Sequence, residues 1–120
     1  MDITVWYLST CSTCVRILKE LGLDESNASL INIKTNPVTE SQLEDMEQAA
    51  GSYIDLINGR STQFRTMDQK AKDLTNGEAK SLLLSHYSFL KRPVVRIGKD
   101  YYIGNNKQAV AAAKKRLSHV

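Results

Sequence analysis

The chain has little of what would narrow a function quickly: two cysteines, two histidines and two prolines in 120 residues. So few cysteines exclude a disulfide scaffold, and the ordinary balance of 42% hydrophobic and 24% charged residues argues against a collagenous rod or a disordered tail. No apolar run approaches the roughly 18 residues of a membrane span, so no membrane partner is expected. The start, Met-Asp-Ile-Thr-Val-Trp-Tyr, lacks a basic leader region, and a secretory signal is not expected; the cytoplasm is the expected compartment. Neither sign of charge dominates. Sixteen Lys and Arg against 13 Asp and Glu leave a net charge of +3, too small to imply nucleic-acid binding. Repeats, linkers and low-complexity segments are absent, and the length suits one compact domain.

The two cysteines, Cys11 and Cys14, lie three apart, a spacing that random placement gives in about one case in fifty. A structural zinc site needs four ligands, and His86 and His119 are too far apart in sequence for an H-x3-5-H pair, so no metal is expected. A structural disulfide is disfavoured by a reducing cytosol and by the small loop entropy of so short a ring. Two readings remain: a redox dithiol, or two small buried hydrophobes. Residues 2–8 read as a strand, while Val15, Leu18 and Leu21 recur at helical spacing up to Gly22, a C-terminal stop. The dithiol thus sits where a strand gives way to a helix. Ser9 and Thr10 are competent N-caps, and the first-turn N–H groups favour a thiolate on Cys11. Cys14, one turn later, is within disulfide reach. On this reading Cys11 is the exposed nucleophile and Cys14 the resolving thiol.

Residues 29–34 form a second strand candidate, completing a β-α-β unit. From Asn36 to about Leu90 the pattern is helical, an insert at about 37–90. Thr39 with Gln42 makes a capping box before a helix closed by Gly51; Tyr53, Ile54, Leu56 and Ile57 suggest a short apolar helix; a third piece starts near Ser61. Thr75 with Glu78 caps a helix expected to place Ala79, Leu82, Leu83 and Tyr87 on one face. After Arg92 the period returns to two. Val94, Val95 and Ile97, then Tyr101, Tyr102 and Ile103, flank Gly98-Lys99-Asp100 as a hairpin, followed by a helix over about 106–118. The expected fold is α/β, a four-stranded mixed sheet in the order β-α-β, helical insert, β-β-α, within a single domain.

Four features of this sequence resemble the arsenate reductase and Spx family of thioredoxin-like proteins, over essentially the whole chain. They are Cys11-Ser-Thr-Cys14, Gly59-Arg60-Ser61 in the insert, Arg92-Pro93 before the hairpin, and Gly104-Asn105-Asn106 before the last helix. The resemblance implies a thioredoxin-like fold with a cis Pro93 that shapes the pocket beside the nucleophilic sulfur. It also implies that Arg60 and Arg92 line the active site, where guanidinium suits thiolates and multi-oxygen anions. Arg16 lies one turn into the first helix. Family members that reduce arsenate resemble one another in an arginine four residues after the cysteine and another thirteen after the arginine of Arg-Pro. Val15 and Asn105 stand there instead. Arsenate carries a charge near minus two, like phosphate, so arsenate reduction is not expected.

The Spx branch comprises redox-sensing regulators that bind RNA polymerase through the C-terminal domain of its α chain, and it is matched by the dithiol, Gly-Arg-Ser and Gly-x-Asn. The match departs at Val15, where Spx proteins have Arg, and at Ser52, which takes the slot of their polymerase-contacting glycine, Gly51 lying one residue out of register. The remaining candidates read more plainly. Lys114-Lys115-Arg116 complements a helix C-terminus, Trp6 is core, one of Tyr101 and Tyr102 faces the core and the other solvent, and His86 has no evident partner. The expectation is an arsenate reductase-like thiol-disulfide oxidoreductase, monomeric, reduced by thioredoxin or glutathione, without metal or organic cofactor. The alternative is an Spx-like regulator with RNA polymerase as its partner.

Overall fold

The computed structural model describes residues 2–67, 70 and 73–119, and the chain groups into two compact units, residues 1–36 with 92–120 and residues 37–91. The first unit is built on strand β1 (Ile3–Tyr7), helix α1 (Ser12–Leu21), strand β2 (Ser29–Asn32), strands β3 (Val94–Ile97) and β4 (Asp100–Ile103), and a closing helix, α5 (Lys107–Ser118). The sheet order is β2-β1-β3-β4, with β1 and β2 parallel and the other pairs antiparallel. This is the mixed four-stranded α/β sheet expected from the strand pattern.

Period-two alternation decides which side of the sheet is packed. Val5, Val95 and Ile97 join Leu18 and Leu23 in one buried cluster, against which Ile3, Tyr7, Leu30, Tyr102 and Leu117 pack. Helix α1 presents Cys14, Ile17 and Leu18 inward and ends at Gly22, whose φ of 70° only glycine adopts without strain. Gly22 N–H donates to the Lys19 carbonyl and Leu23 N–H to that of Leu18 at 2.9 Å, a Schellman closure with Leu18 and Leu23 in the same cluster. Tyr101 and Tyr102 differ from expectation: both are half-buried. Tyr102 joins the cluster while Tyr101 stacks on Trp6 at 6.3 Å, because the buried Trp6 occupies the sheet's other face.

Among the described residues the second unit holds α2 (Glu40–Ala50), α3 (Thr62–Arg65), α4 (Asn76–Ser85) and the 3-10 turns Ile54–Leu56 and Tyr87–Phe89. Both capping boxes form: the backbone N–H groups of Gln42 and Glu78 donate to the Thr39 and Thr75 hydroxyls, and their side-chain oxygens accept from the Thr39 and Thr75 backbone N–H groups. The expected apolar helix at Tyr53–Ile57 is only the Ile54–Leu56 turn. Tyr87 does not extend the face of α4, since the helix stops at Ser85 and His86 turns to extended backbone. An isolated antiparallel bridge joins Ile57 to Leu90. His86 does have partners: Ser88 N–H donates to its Nδ1, Gln63 lies 3.2 Å from its Nε2, and Tyr87 stacks on it.

Candidate functional site

Strand β1 delivers the chain to residues 8–11, where Cys11 N–H donates to the Leu8 carbonyl at 3.0 Å and α1 begins. The expected N-caps, Ser9 and Thr10, do not cap this helix. Cys11 itself is the N-cap residue, with extended backbone at φ −93° and ψ 111°, and no side-chain oxygen caps the first turn. Ser9 Oγ instead accepts from Asn32 Nδ2 at 2.9 Å, tying the end of β1 to the end of β2. The orphan first-turn N–H groups are therefore left to the Cys11 sulfur.

The two free cysteines occupy different surroundings. Cys11 is half-buried and Cys14 fully buried. Partial burial alone would push the Cys11 thiol up, but the backbone N–H and side chain of Cys14, the Arg92 charge and the Thr13 N–H together outweigh it and hold Cys11 below the ordinary thiol range. Cys14 goes the other way. Burial pushes it up to about 11, the Leu8 backbone opposes this, and a charge on Cys11 adds to it.

Register brings Arg92 to this point. Ile3 pairs with Ile97 and Trp6 with Val94 in the antiparallel ladder, so the line continued past Trp6 sets Pro93 across from Tyr7 and Arg92 across from Leu8, three residues before Cys11. The Arg92-Pro93 bond is cis, and the fully buried Pro93 accepts from Gly104 N–H at 2.9 Å through its carbonyl. Cys11, Cys14, Arg92 and Pro93 thus belong to the first unit. Arg60 belongs to the second, exposed, with its N–H donating to Asn58 Oδ1 just before the Ser61 cap of α3. Val15 and Asn105 are exposed. Gly51, with φ 100°, closes α2, a conformational reason for glycine at that position.

The Thr13 and Cys14 N–H groups on the sulfur are among the first-turn donors expected there, whereas sequence reasoning missed Lys19, which with Arg16 lines a surface groove beside α1. The i, i+3 spacing of the two cations was the available signal. Among the described residues no cluster of three or more His, Cys, Asp or Glu could hold a metal, and no helix is long and apolar enough to cross a membrane.

Comparison with known proteins agrees with this frame. A Global transcriptional regulator Spx from Streptococcus mutans is 24% identical over 92% of this chain and 81% of its own length. A Haemophilus influenzae protein is 29% identical over 92% of this chain and 97% of its own. The crystal structure of an ArsC family related protein from Bacteroides fragilis superposes with a TM-score of 0.76 at 19% identity, covering 94% of this chain and 99% of that one, a likeness of fold. Residues 6–113 match the ArsC family, and the chain is a member of that family.

Proposed function

We propose that the chain is a thiol-disulfide oxidoreductase in which Cys11 attacks and Cys14 resolves. The observation that carries the reading is the asymmetry of the two cysteines within one helical turn: the accessible one has its charged form favoured, and the buried one keeps its proton. The Cys11 thiolate attacks a substrate disulfide, forming a Cys11–substrate bond and releasing the other sulfur as a thiolate. Cys14 then attacks Cys11, closing the Cys11–Cys14 disulfide, expelling the second substrate sulfur and giving up its proton to it. Two electrons pass to the substrate, and thioredoxin or glutathione restores the dithiol; no metal or organic cofactor takes part. Arg92 stabilises thiolate charge beside Cys11 and Pro93 shapes the sulfur's surroundings. Arg60 is assigned to anion binding on the resemblance of Gly59-Arg60-Ser61. The protein acts as a cytoplasmic monomer.

The test is a titration of thiolate absorbance in wild type and in Cys14→Ser, whose hydroxyl still donates. The Cys11 midpoint is expected below about 8.5, and a midpoint at or above that value removes the nucleophile.

The similarity to regulators named Spx favours a second reading, in which the same dithiol switches docking to RNA polymerase, at the C-terminal domain of its α chain. Pull-down with that domain under reducing and oxidising conditions decides it; binding in neither state rules it out.

A further inference from the structure

A groove of about 510 Å³ lies beside α1, lined by Ser9, Thr10, Ser12, Val15, Arg16 and Lys19. Ser12, Val15, Arg16 and Lys19 follow one another at i, i+3, i+4 and i+7, so they share one face of the helix, away from the buried Cys14, Ile17 and Leu18. Thr10 and Ser12, both in the lining, are the chain neighbours of the half-buried Cys11, which does not itself line the groove, and Val15 lies one turn beyond it, so the groove runs along α1 from the residues that flank the cysteine.

The lining has a definite chemistry. It offers three hydroxyls, an apolar patch in Val15, which is 36% exposed, and two exposed cations with no acidic side chain among them. Among the described residues the ion pairs engage Lys80 and Arg116, and neither Arg16 nor Lys19. Along the helix Arg16 stands about 7 Å and Lys19 about 12 Å beyond Cys11. An extended peptide advances about 3.3 Å per residue, so side chains two to four residues from a bound cysteine fall beside these two cations.

We propose that the groove binds the acidic flank of a polypeptide substrate whose disulfide cysteine meets Cys11, with Asp or Glu two to four residues away held by Arg16 and Lys19. This rests on the thiol-disulfide reading above and names its substrate class. The reacting step is the one already described: the Cys11 Sγ–substrate sulfur bond forms, the substrate's disulfide breaks, and the departing sulfur leaves as a thiolate. A groove of this length holds about four extended residues, which fits a peptide segment.

The test uses the full-length Cys14→Ser chain and three short peptides whose single cysteine carries a 2-thiopyridyl leaving group, followed by acidic, uncharged or lysine residues. Release of pyridine-2-thione gives the rate with the same leaving group throughout. The acidic peptide is expected to react about three to ten times faster than the uncharged one at low salt, and about 0.5 M salt should erase the preference. Arg16→Gln with Lys19→Gln should bring the acidic-to-uncharged ratio close to one, and Arg16→Glu with Lys19→Glu should turn the preference toward the lysine peptide. Lys114→Gln with Lys115→Gln, which removes the same net charge elsewhere, should leave the ratio as it was. Equal rates for acidic and uncharged peptides, or a preference that survives loss of Arg16 and Lys19, overturn the groove assignment while the thiol chemistry stands. Failure of the uncharged peptide to react overturns the thiol chemistry and the groove assignment with it.

Discussion

Cys11 at the N-cap of α1 and Cys14 one turn on are shifted in opposite directions: Cys11 lies below the ordinary thiol range, while burial raises Cys14 to about 11. The physical origin is depth. One more turn of helix takes the second sulfur from a half-exposed N-terminus, where N–H groups converge, into a site with no exposed surface.

That contrast gives stability a pH dependence whose sign differs for the two groups. Cys14 has its pKa raised on folding, so its contribution is fully present below the unfolded value of about 8.5 and is lost as pH rises toward about 11. Cys11 has its pKa lowered, so its contribution is present above about 8.5 and is lost as pH falls through the folded value. Urea unfolding between pH 8 and 11 should therefore show a decline, up to about 3 kcal/mol, that is absent from Cys14→Ala.

Arg92 contributes charge to both cysteines. In Arg92→Gln the Cys11 thiolate midpoint should rise, and alkylation of Cys11 at neutral pH should slow. A measured midpoint that stays in place would assign Arg92 no electrostatic role at the sulfur.

Arsenate should not be a substrate. Val15 and Asn105 are exposed neutral residues where arsenate-reducing relatives are expected to carry arginine, and a dianion loses two charge-assisted partners. Thioredoxin-coupled or glutathione-coupled arsenate turnover is expected at background, and turnover well above it contradicts the argument from those two positions.

Gly22 closes α1 at φ 70°, and a β-carbon built there meets nothing within 4 Å. Gly22→Ala should thus cost stability through the backbone alone, about 1–2 kcal/mol in denaturant unfolding, without altering the reactivity of Cys11.

The features legible in the sequence were those that neighbours in the chain decide. The capping boxes of Thr39 and Thr75 are four-residue patterns, the strands of the sheet announce themselves by alternation, and Cys11 follows β1 closely enough for its place at a helix start to be read directly. Ser9 was a plausible cap but is drawn to Asn32, 23 residues away, and His86 finds Gln63 at the same separation. Such pairings depend on the finished fold and leave no local trace. Tyr87 carried the helical period of α4 past the point where the backbone at His86 had already turned out of it. Arg16 was placed beside the dithiol but Lys19 was not read with it, for another reason: their spacing is local, but their lack of carboxylate partners emerges only when the surroundings are assembled.

The most direct measurement of the central claim is mass analysis after a single turnover with a simple disulfide. Reduced wild type should finish with an internal Cys11–Cys14 bond, and Cys14→Ser should stop as a stable mixed disulfide on Cys11, with Cys11→Ser unreactive. A mixed disulfide that accumulates on Cys14 instead, or a wild type that forms no internal bond, contradicts the assignment of attacker and resolver.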